Sequence, residues 1–287
     1  MSITPIIDNE QLTVNLCNVL VFSVLNNYQL SIIHYQLYKY SSVNSTQQQL
    51  RAVEDAAEGC VVLADFQTQG RGQQGNMWES EDGKNLLCSL LVTSQNLYAH
   101  NLFDLSRAVS LAVAHFLKEK NIDAKIKWSN DIFVQDDKIA GILIEPTIRG
   151  DRVLQAVVGI GLNVNQQHFT YAPRATSMLL ILNELQNIET TLWAVLKQFS
   201  YFYGLLQTQQ YQAIRNSYND LLYRKTGMYK YCANGEIFSA KIITVSDDGD
   251  LVLQKEDGKI AQYCFKKVEF IFGDTEIAER HAIYRLK

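Results

Sequence analysis

Two short apolar runs, residues 60–66 and 85–92, flank a stretch over 67–84 that is rich in glycine and glutamine and has no hydrophobic period. Apolar runs bounded by turn residues read as strands, and a segment with neither a helical nor a strand period reads as a loop. A long loop is thus launched from one strand and returned to another, with no helix between. This constraint decides the motif inside it. Gly70-Arg71-Gly72-Gln73-Gln74-Gly75 matches the G-x-G-x-x-G of a dinucleotide-binding turn, but that turn must open a helix whose N-terminus faces the pyrophosphate. Here Gly75 leads into Asn76-Met77-Trp78 and then Glu81-Asp82-Gly83, which is turn composition. No acidic residue ends a second strand about twenty positions on, as that fold requires. The dinucleotide reading fails. Glycines still allow a backbone to approach an anion, and the Arg71 guanidinium suits phosphate or carboxylate oxygens. The hexapeptide alone leaves two readings open, a lid over a phosphate ester and a glycine-rich surface loop.

Around the loop the periodicities alternate. Ile33, Tyr35 and Leu37 alternate as in a half-buried strand, and residues 46–58 place Leu50, Val53 and Ala57 at helical spacing. Leu105, Val109, Ala112 and Phe116 mark an amphipathic helix ending near Lys120, with His115 as a core or edge residue. Strands are expected over 124–128, 138–144 and 153–161, and a helix over 190–211 whose aromatics Trp193, Phe199, Tyr201, Phe202 and Tyr203 serve core packing. From Thr226, short strands are separated by the turn signals Asn234-Gly235, Asp248-Gly249 and Asp257-Gly258. The expectation is an α+β chain: an extension of unknown role over 1–30, a catalytic domain over 31–222, and a small all-β barrel over 223–287.

Composition closes off other classes. With 287 residues, 47% hydrophobic and 20% charged, the chain has ordinary globular composition. A net charge of -4 and a pI near 5.8 supply no basic face for nucleic acid. Five scattered cysteines, none as C-x-x-C, suggest neither a disulfide framework nor a zinc site. Residues 12–25 are apolar, but Asn15, Asn18 and Ser23 interrupt them and no basic region precedes them, so no membrane segment and a cytoplasmic location are expected. The stretch before Ser45 is too short for a winged helix.

A second constellation lies in Lys127-Trp128-Ser129-Asn130-Asp131 and Lys138-Ile139-Ala140-Gly141-Ile142-Leu143. These read as the end of one strand and the start of another, a hairpin-like unit with polar groups gathered at one end. Lys138 is then either a site lysine or a solvated turn lysine after Asp136 and Asp137.

Together the motifs resemble those of the biotin protein ligase family. That family carries Ser-Thr-Asn, a glutamine shortly before Gly-Arg-Gly-Arg-x-Gly-x-x-Trp, then Lys-Trp-Pro-Asn-Asp, Lys-x-x-Gly-Ile-Leu and Gly-Ile-Gly-x-Asn-Val-Asn. The chain reads Ser45-Thr46-Gln47, Gln67, the Gly70 loop with Trp78, Lys127 to Asp131, Lys138 to Leu143, and Gly159-Ile160-Gly161-Leu162-Asn163-Val164-Asn165, in that order. The resemblance implies a mixed-sheet catalytic fold like that of class II synthetases and lipoyl transferases, with an SH3-like C-terminal barrel. It implies that biotin attacks the α-phosphate of ATP to give biotinyl-5′-AMP, and that a lysine of a biotin carboxyl carrier protein of an acyl-CoA carboxylase then takes the acyl group. ATP, Mg²⁺ and biotin are the small molecules implied, with no bound prosthetic group, and a homodimer stays open.

By the same resemblance Lys138 and Arg71 are the catalytic cations. Ser45, Thr46, Gln47, Gln67, Arg71, Gly72, Gln73, Lys138 and Gly141 take biotin. Arg71, Trp78, Lys127, Asn130 and Asn163 take ATP or the adenylate, and Asp131 takes Mg²⁺. Both reactants of the first step are anions, which at about 4 Å repel by roughly 4 kcal/mol at an effective dielectric of 20. Fixed cations are therefore required. Three departures stand out: Gln47 replaces asparagine, Ser129 replaces proline, and Gln73 replaces the second arginine of the loop, which predicts weaker retention of the adenylate. A lipoate or octanoate ligase or transferase is the nearest rival, and a non-catalytic binding module the other alternative.

Overall fold

The computed structural model describes residues 33–73 and 77–273. The expectations for residues 1–30, including the apolar stretch over 12–25, and for Gln74 and Gly75 lie outside the described residues. Among the described residues no helix is long and apolar enough to cross a membrane.

Seven strands build the main sheet: β1 (Gln36–Val43), β2 (Cys60–Gln67), β3 (Leu86–Val92), β4 (Ala124–Lys127), β5 (Asp131–Val134), β6 (Asp137–Arg149) and β7 (Arg152–Leu162). Their order is β1-β2-β3-β7-β6-β5-β4. Only β1 and β2 run parallel; every other neighbouring pair in this sheet is antiparallel, so the sheet is mixed. Val61, Leu63, Leu90, Ile142, Val158 and Ile160 point to one face, buried under α2 (Leu102–Glu119) and α4 (Ile188–Gln207). The expected stripe of Leu105, Val109, Ala112 and Phe116 is wholly buried there. On the opposite face Cys60, Val62, Leu91 and Val157 form a smaller cluster with Leu50 of α1 (Thr46–Arg51). That short helix covers only part of its face, and the uncovered part holds the site.

Three expectations change. The helix over 46–58 stops at Arg51. The chain has to return to β2 in parallel with β1, and Gly59 at φ +85 makes that bend, held by Gln36 N–H donating to Gly59 O and Gly59 N–H donating to Leu91 O. Tertiary pairing overrides helical spacing here. The two-stranded unit from Lys127 to Leu143 proves to be a three-stranded meander, because the four residues of β5 intervene. The helix over 190–211 divides at Gln209, φ +57, and α5 (Tyr211–Asp220) follows; Phe199, Phe202 and Tyr203 are buried while Tyr201 is exposed.

The C-terminal part is a five-stranded antiparallel sheet, β8 (Tyr229–Ala233), β9 (Glu236–Val245), β10 (Leu251–Lys255), β11 (Ile260–Tyr263) and β12 (Glu269–Phe270), in the order β11-β10-β9-β8-β12. Asn234 and Gly235 at φ +51 and +82 form the expected tight turn between β8 and β9. The β9–β10 turn is fastened to the main domain by charge. Arg107, fully buried on α2, reaches Asp104, Asp247 O and Ser246 O, while Arg215 on α5 bridges Asp104 at 2.8 Å and Asp247 at 2.6 Å. Burying a guanidinium is costly unless it is paired, and here Asp104 and the turn carbonyls engage both terminal nitrogens.

Candidate active site

The open part of the sheet is floored by glycine. Gly141 of β6 and Gly161 of β7 are directly opposed, and Gly159 lies two residues back on the same face. A Cβ on Gly161 would fall 2.6 Å from Cε2 of Trp78, one on Gly141 2.9 Å from Cζ3 of the same ring, and one on Gly159 3.0 Å from Nε2 of Gln47. The flat strip therefore exists to let side chains from α1 and the loop lie directly on backbone. Above it is a cavity of about 290 Å³.

Lys138 reaches this face through a β-bulge. Asp131 pairs with Gly141 and Ile132 with Ala140, but Phe133 pairs with Lys138, so Ile139 is the extra residue on β6. Strand side chains alternate in direction; without the bulge Lys138 would share the core face of Ala140, and with it the lysine joins Asp131 and Gly141. Its Nζ forms an ion pair with Asp131 Oδ1 at 2.7 Å and lies 5.5 Å from the Trp78 ring centroid. Lys138 thus faces the cavity, paired with Asp131, instead of standing in solvent after the turn. Lys127, paired with Asp131 across β4 and β5, continues the row and packs its ammonium 5.3 Å from the Phe133 ring and 5.0 Å from that of Phe270.

At the other end, Ser45 is the N-cap residue of α1 and Thr46 begins it. Thr46 donates twice to Gln67 Oε1, from N at 2.8 Å and from Oγ1 at 3.1 Å. Gln47 Nε2 donates to Leu143 O at 2.9 Å and Val157 O at 3.4 Å. Over the top comes the glycine loop, closed by a bridge between Arg71 and Met77 and by Trp78 N–H donating to Gly70 O at 3.0 Å. Arg71 is exposed, and Gly72 and Gln73 are half-buried. Trp78 Nε1 is buried without a partner among the described residues.

Every residue expected at the site from Ser45 to Asp131, and Lys138 and Gly141 beyond, lines this one cavity: Ser45, Thr46, Gln47, Gln67, Arg71, Gly72, Gln73, Trp78, Lys127, Asn130, Asp131, Lys138 and Gly141. Asn163 does not. It is buried beside the bulge, its backbone N–H donating to Ile139 O and its Nδ2 donating to Thr176 O, so it secures the 174–178 segment against β6. Asn130 lines the cavity, but its amide is engaged inside the protein, Nδ2 on Ile142 O and Oδ1 accepting from Ser129 Oγ. The sequence reading missed Phe265 and Lys266, which reach the rim from the C-terminal sheet. No local signal announces them. Trp128 Nε1 donates to Gly249 O at 2.8 Å, and its ring meets Phe265 edge-on at 6.1 Å.

Asp131 is the single carboxylate among the lining residues, and among the described residues no cluster of three or more potential metal ligands occurs. Mg²⁺ is commonly held by one or two carboxylates with the rest of its shell from phosphate and water. The donor set fits a cation that arrives on a polyphosphate.

The chain is similar to known proteins in sequence and in fold. Residues 39–163 match the biotin/lipoate A/B protein ligase family. The bifunctional ligase/repressor BirA of Bacillus subtilis is 31% identical over 224 residues, covering 76% of this chain and 68% of that protein. Biotin–protein ligase 2 of Arabidopsis thaliana is 33% identical over 166 residues, 56% of this chain and 50% of its own length. Among solved structures, the biotin protein ligase from Aquifex aeolicus in complex with biotin and ATP superposes with a TM-score of 0.71 at 26% identity, covering 83% of this chain and 99% of that one.

Proposed function

Because the chain belongs to the biotin/lipoate A/B protein ligase family, and its named relatives are biotin–protein ligases, we infer that it is an ATP-dependent biotin–protein ligase. The observation that carries this reading is the placement of Lys138 by the β6 bulge over a glycine floor, with the Thr46–Gln67 pair at the far end of the same cavity. In the reaction the biotin carboxylate attacks the α-phosphate, pyrophosphate leaves, and a carrier lysine then displaces AMP from the mixed anhydride. Lys138 faces the oxygens on which charge shifts in both steps, and a preorganised cation in a partly dry cavity stabilises such charge more than water does. Arg71, on the loop, closes over the adenylate with Gly72 and Gln73.

Thr46, Gln67 and Gln47 meet the ureido ring, and Ser45, at the start of α1, lines the same end of the cavity. Trp78 and Lys127 wall the nucleotide end. Mg²⁺, where bound, neutralises phosphate charge, and Asp131 is the residue that would hold it. The acceptor is a lysine on a biotin carboxyl carrier domain of an acyl-CoA carboxylase, and the setting is cytoplasmic. Residues 31–222 form the catalytic domain, and residues 223–287 a C-terminal domain that contributes Phe265 and Lys266 to the rim.

The test is incubation with ATP, Mg²⁺, biotin and a carrier domain, read by avidin blot, for the wild type and Lys138→Ala. Labelling by the wild type alone is expected. No labelling by the wild type, with lipoate accepted in place of biotin, would assign the chain to the other branch of its family.

A further inference from the structure

Two amides at the ring end of the cavity have orientations that the backbone dictates. A backbone N–H can only donate, so the Gln67 atom facing Thr46 N has to be Oε1, which leaves Nε2 as the donor end of that amide. Backbone carbonyls can only accept, so the Gln47 atom facing Leu143 O and Val157 O has to be Nε2, which leaves Oε1 as its acceptor end. Among the described residues neither Gln67 Nε2 nor Gln47 Oε1 has a hydrogen-bond partner, and both residues line the cavity. One donor end and one acceptor end facing a single cavity match a cyclic urea, whose carbonyl accepts and whose N–H groups donate. A dithiolane ring offers neither.

Beneath these amides lies a residue that does not touch the cavity. Ser89 of β3 is fully buried, and its hydroxyl donates to Thr46 Oγ1 at 2.8 Å. Because Thr46 Oγ1 accepts this proton, its own hydrogen is directed to Gln67 Oε1 at 3.1 Å. Ser89 is also the cross-strand partner of Gly159, the glycine on which the Gln47 amide rests. One cross-strand pair in the sheet therefore underlies both reading groups.

We propose that Ser89 is a positioning residue for urea recognition: it directs the Thr46 hydroxyl onto Gln67 Oε1, adding a second bond to the one from Thr46 N–H and so holding firm an amide whose donor end faces the cavity. This rests on the biotin-ligase reading and deepens it. Removing the serine hydroxyl releases the Thr46 hydroxyl to rotate, so the loss appears in biotin affinity and not in the use of ATP.

The experiment measures biotin dissociation constants by calorimetry on the full chain without ATP, and KM for ATP at saturating biotin. The proteins are the wild type, Ser89→Ala, Thr46→Val and the double variant. Ser89→Ala should weaken biotin binding about fivefold, the loss of one buried hydrogen bond, with KM for ATP within about twofold of wild type. In the Thr46→Val background the same change should alter biotin affinity less than about twofold, since coupled residues are not additive. Wild-type biotin affinity in Ser89→Ala overturns the proposal, as does an equal loss in both backgrounds or a parallel rise in KM for ATP. Absence of biotin binding by the wild type itself overturns the ligase reading and this one with it.

Discussion

Lys138 Nζ lies 2.7 Å from Asp131 Oδ1, with both side chains partly open to the cavity. The cation that would meet the substrate carboxylate is paired with the carboxylate that would meet the metal, so each has to exchange its partner as substrates bind. Lys138→Ala should lower the rate of adenylate formation about a hundredfold or more, the scale of losing one preorganised charge-stabilising group. Asp131→Asn should slow the same step while leaving biotin affinity measured without ATP equal or tighter, because Lys138 is then unpaired. Pyrophosphate release and biotin calorimetry read the two effects; weaker biotin binding by Asp131→Asn would show that the pair positions Lys138 instead of competing for it.

Gly161→Ala places a methyl where Trp78 now lies, 2.6 Å from Cε2. Overpacking of this kind costs about 1–3 kcal/mol when backbone blocks relaxation, but Trp78 sits on a loop that can yield. The expected result is displacement of the indole, seen as a red-shifted tryptophan emission, with biotin affinity lowered at least about tenfold. An unshifted spectrum with normal binding would mean that the strip tolerates a side chain.

Trp128 ties the Lys127–Asp131 segment to the β9–β10 turn through Nε1 and Gly249 O. Trp128→Phe removes the donor and keeps most of the ring, leaving a buried carbonyl unpaired at a cost of about 1–3 kcal/mol. KM for ATP should rise while biotin affinity stays the same, since Trp128 adjoins Lys127 and lies away from Thr46 and Gln67. Equal effects on both substrates would argue for general destabilisation, which thermal melts would report.

Gln73 lines the cavity where the family pattern has a second arginine. Gln73→Arg should slow release of biotinyl-AMP from the protein, followed by stopped-flow or filter retention of labelled adenylate. Identical release rates in the two proteins would remove the idea that Gln73 in place of arginine weakens retention of the adenylate.

Cys88, cross-strand partner of Leu63 and Ile160, belongs to the core under α2 and α4, and burial pushes its thiol up to about 12. The thiolate is the reactive form, so at pH 7–8 iodoacetamide should leave Cys88 unmodified in the native protein and modify it after denaturation. Mass spectrometry of tryptic peptides checks this; native-state alkylation at Cys88 would mean that the core between the sheet and its helices opens to solvent.

Much of this protein was legible in one dimension because the relevant signals are local. The lack of a hydrophobic period between residues 67 and 84 argued against a dinucleotide turn, the stripe from Leu105 to Phe116 placed α2, Asn234-Gly235 placed a turn, and the motif order from Ser45 to Gly141 named the residues that now share one cavity. What the sequence could not determine depends on partners distant along the chain. The direction of Lys138 follows from a bulge whose existence is defined only by pairing with β5. The early end of α1 follows from the demand that β2 run beside β1. The donor and acceptor ends of Gln67 and Gln47 are set by backbone atoms at Thr46, Leu143 and Val157. Phe265 and Lys266 reach the rim only because the buried Arg107 and the Trp128 indole fasten the second sheet in place. Residue type and local period specify which groups are present and roughly which element carries them. Which way they face is settled by cross-strand register and by satisfying buried hydrogen-bonding groups, and both are properties of the assembled sheet.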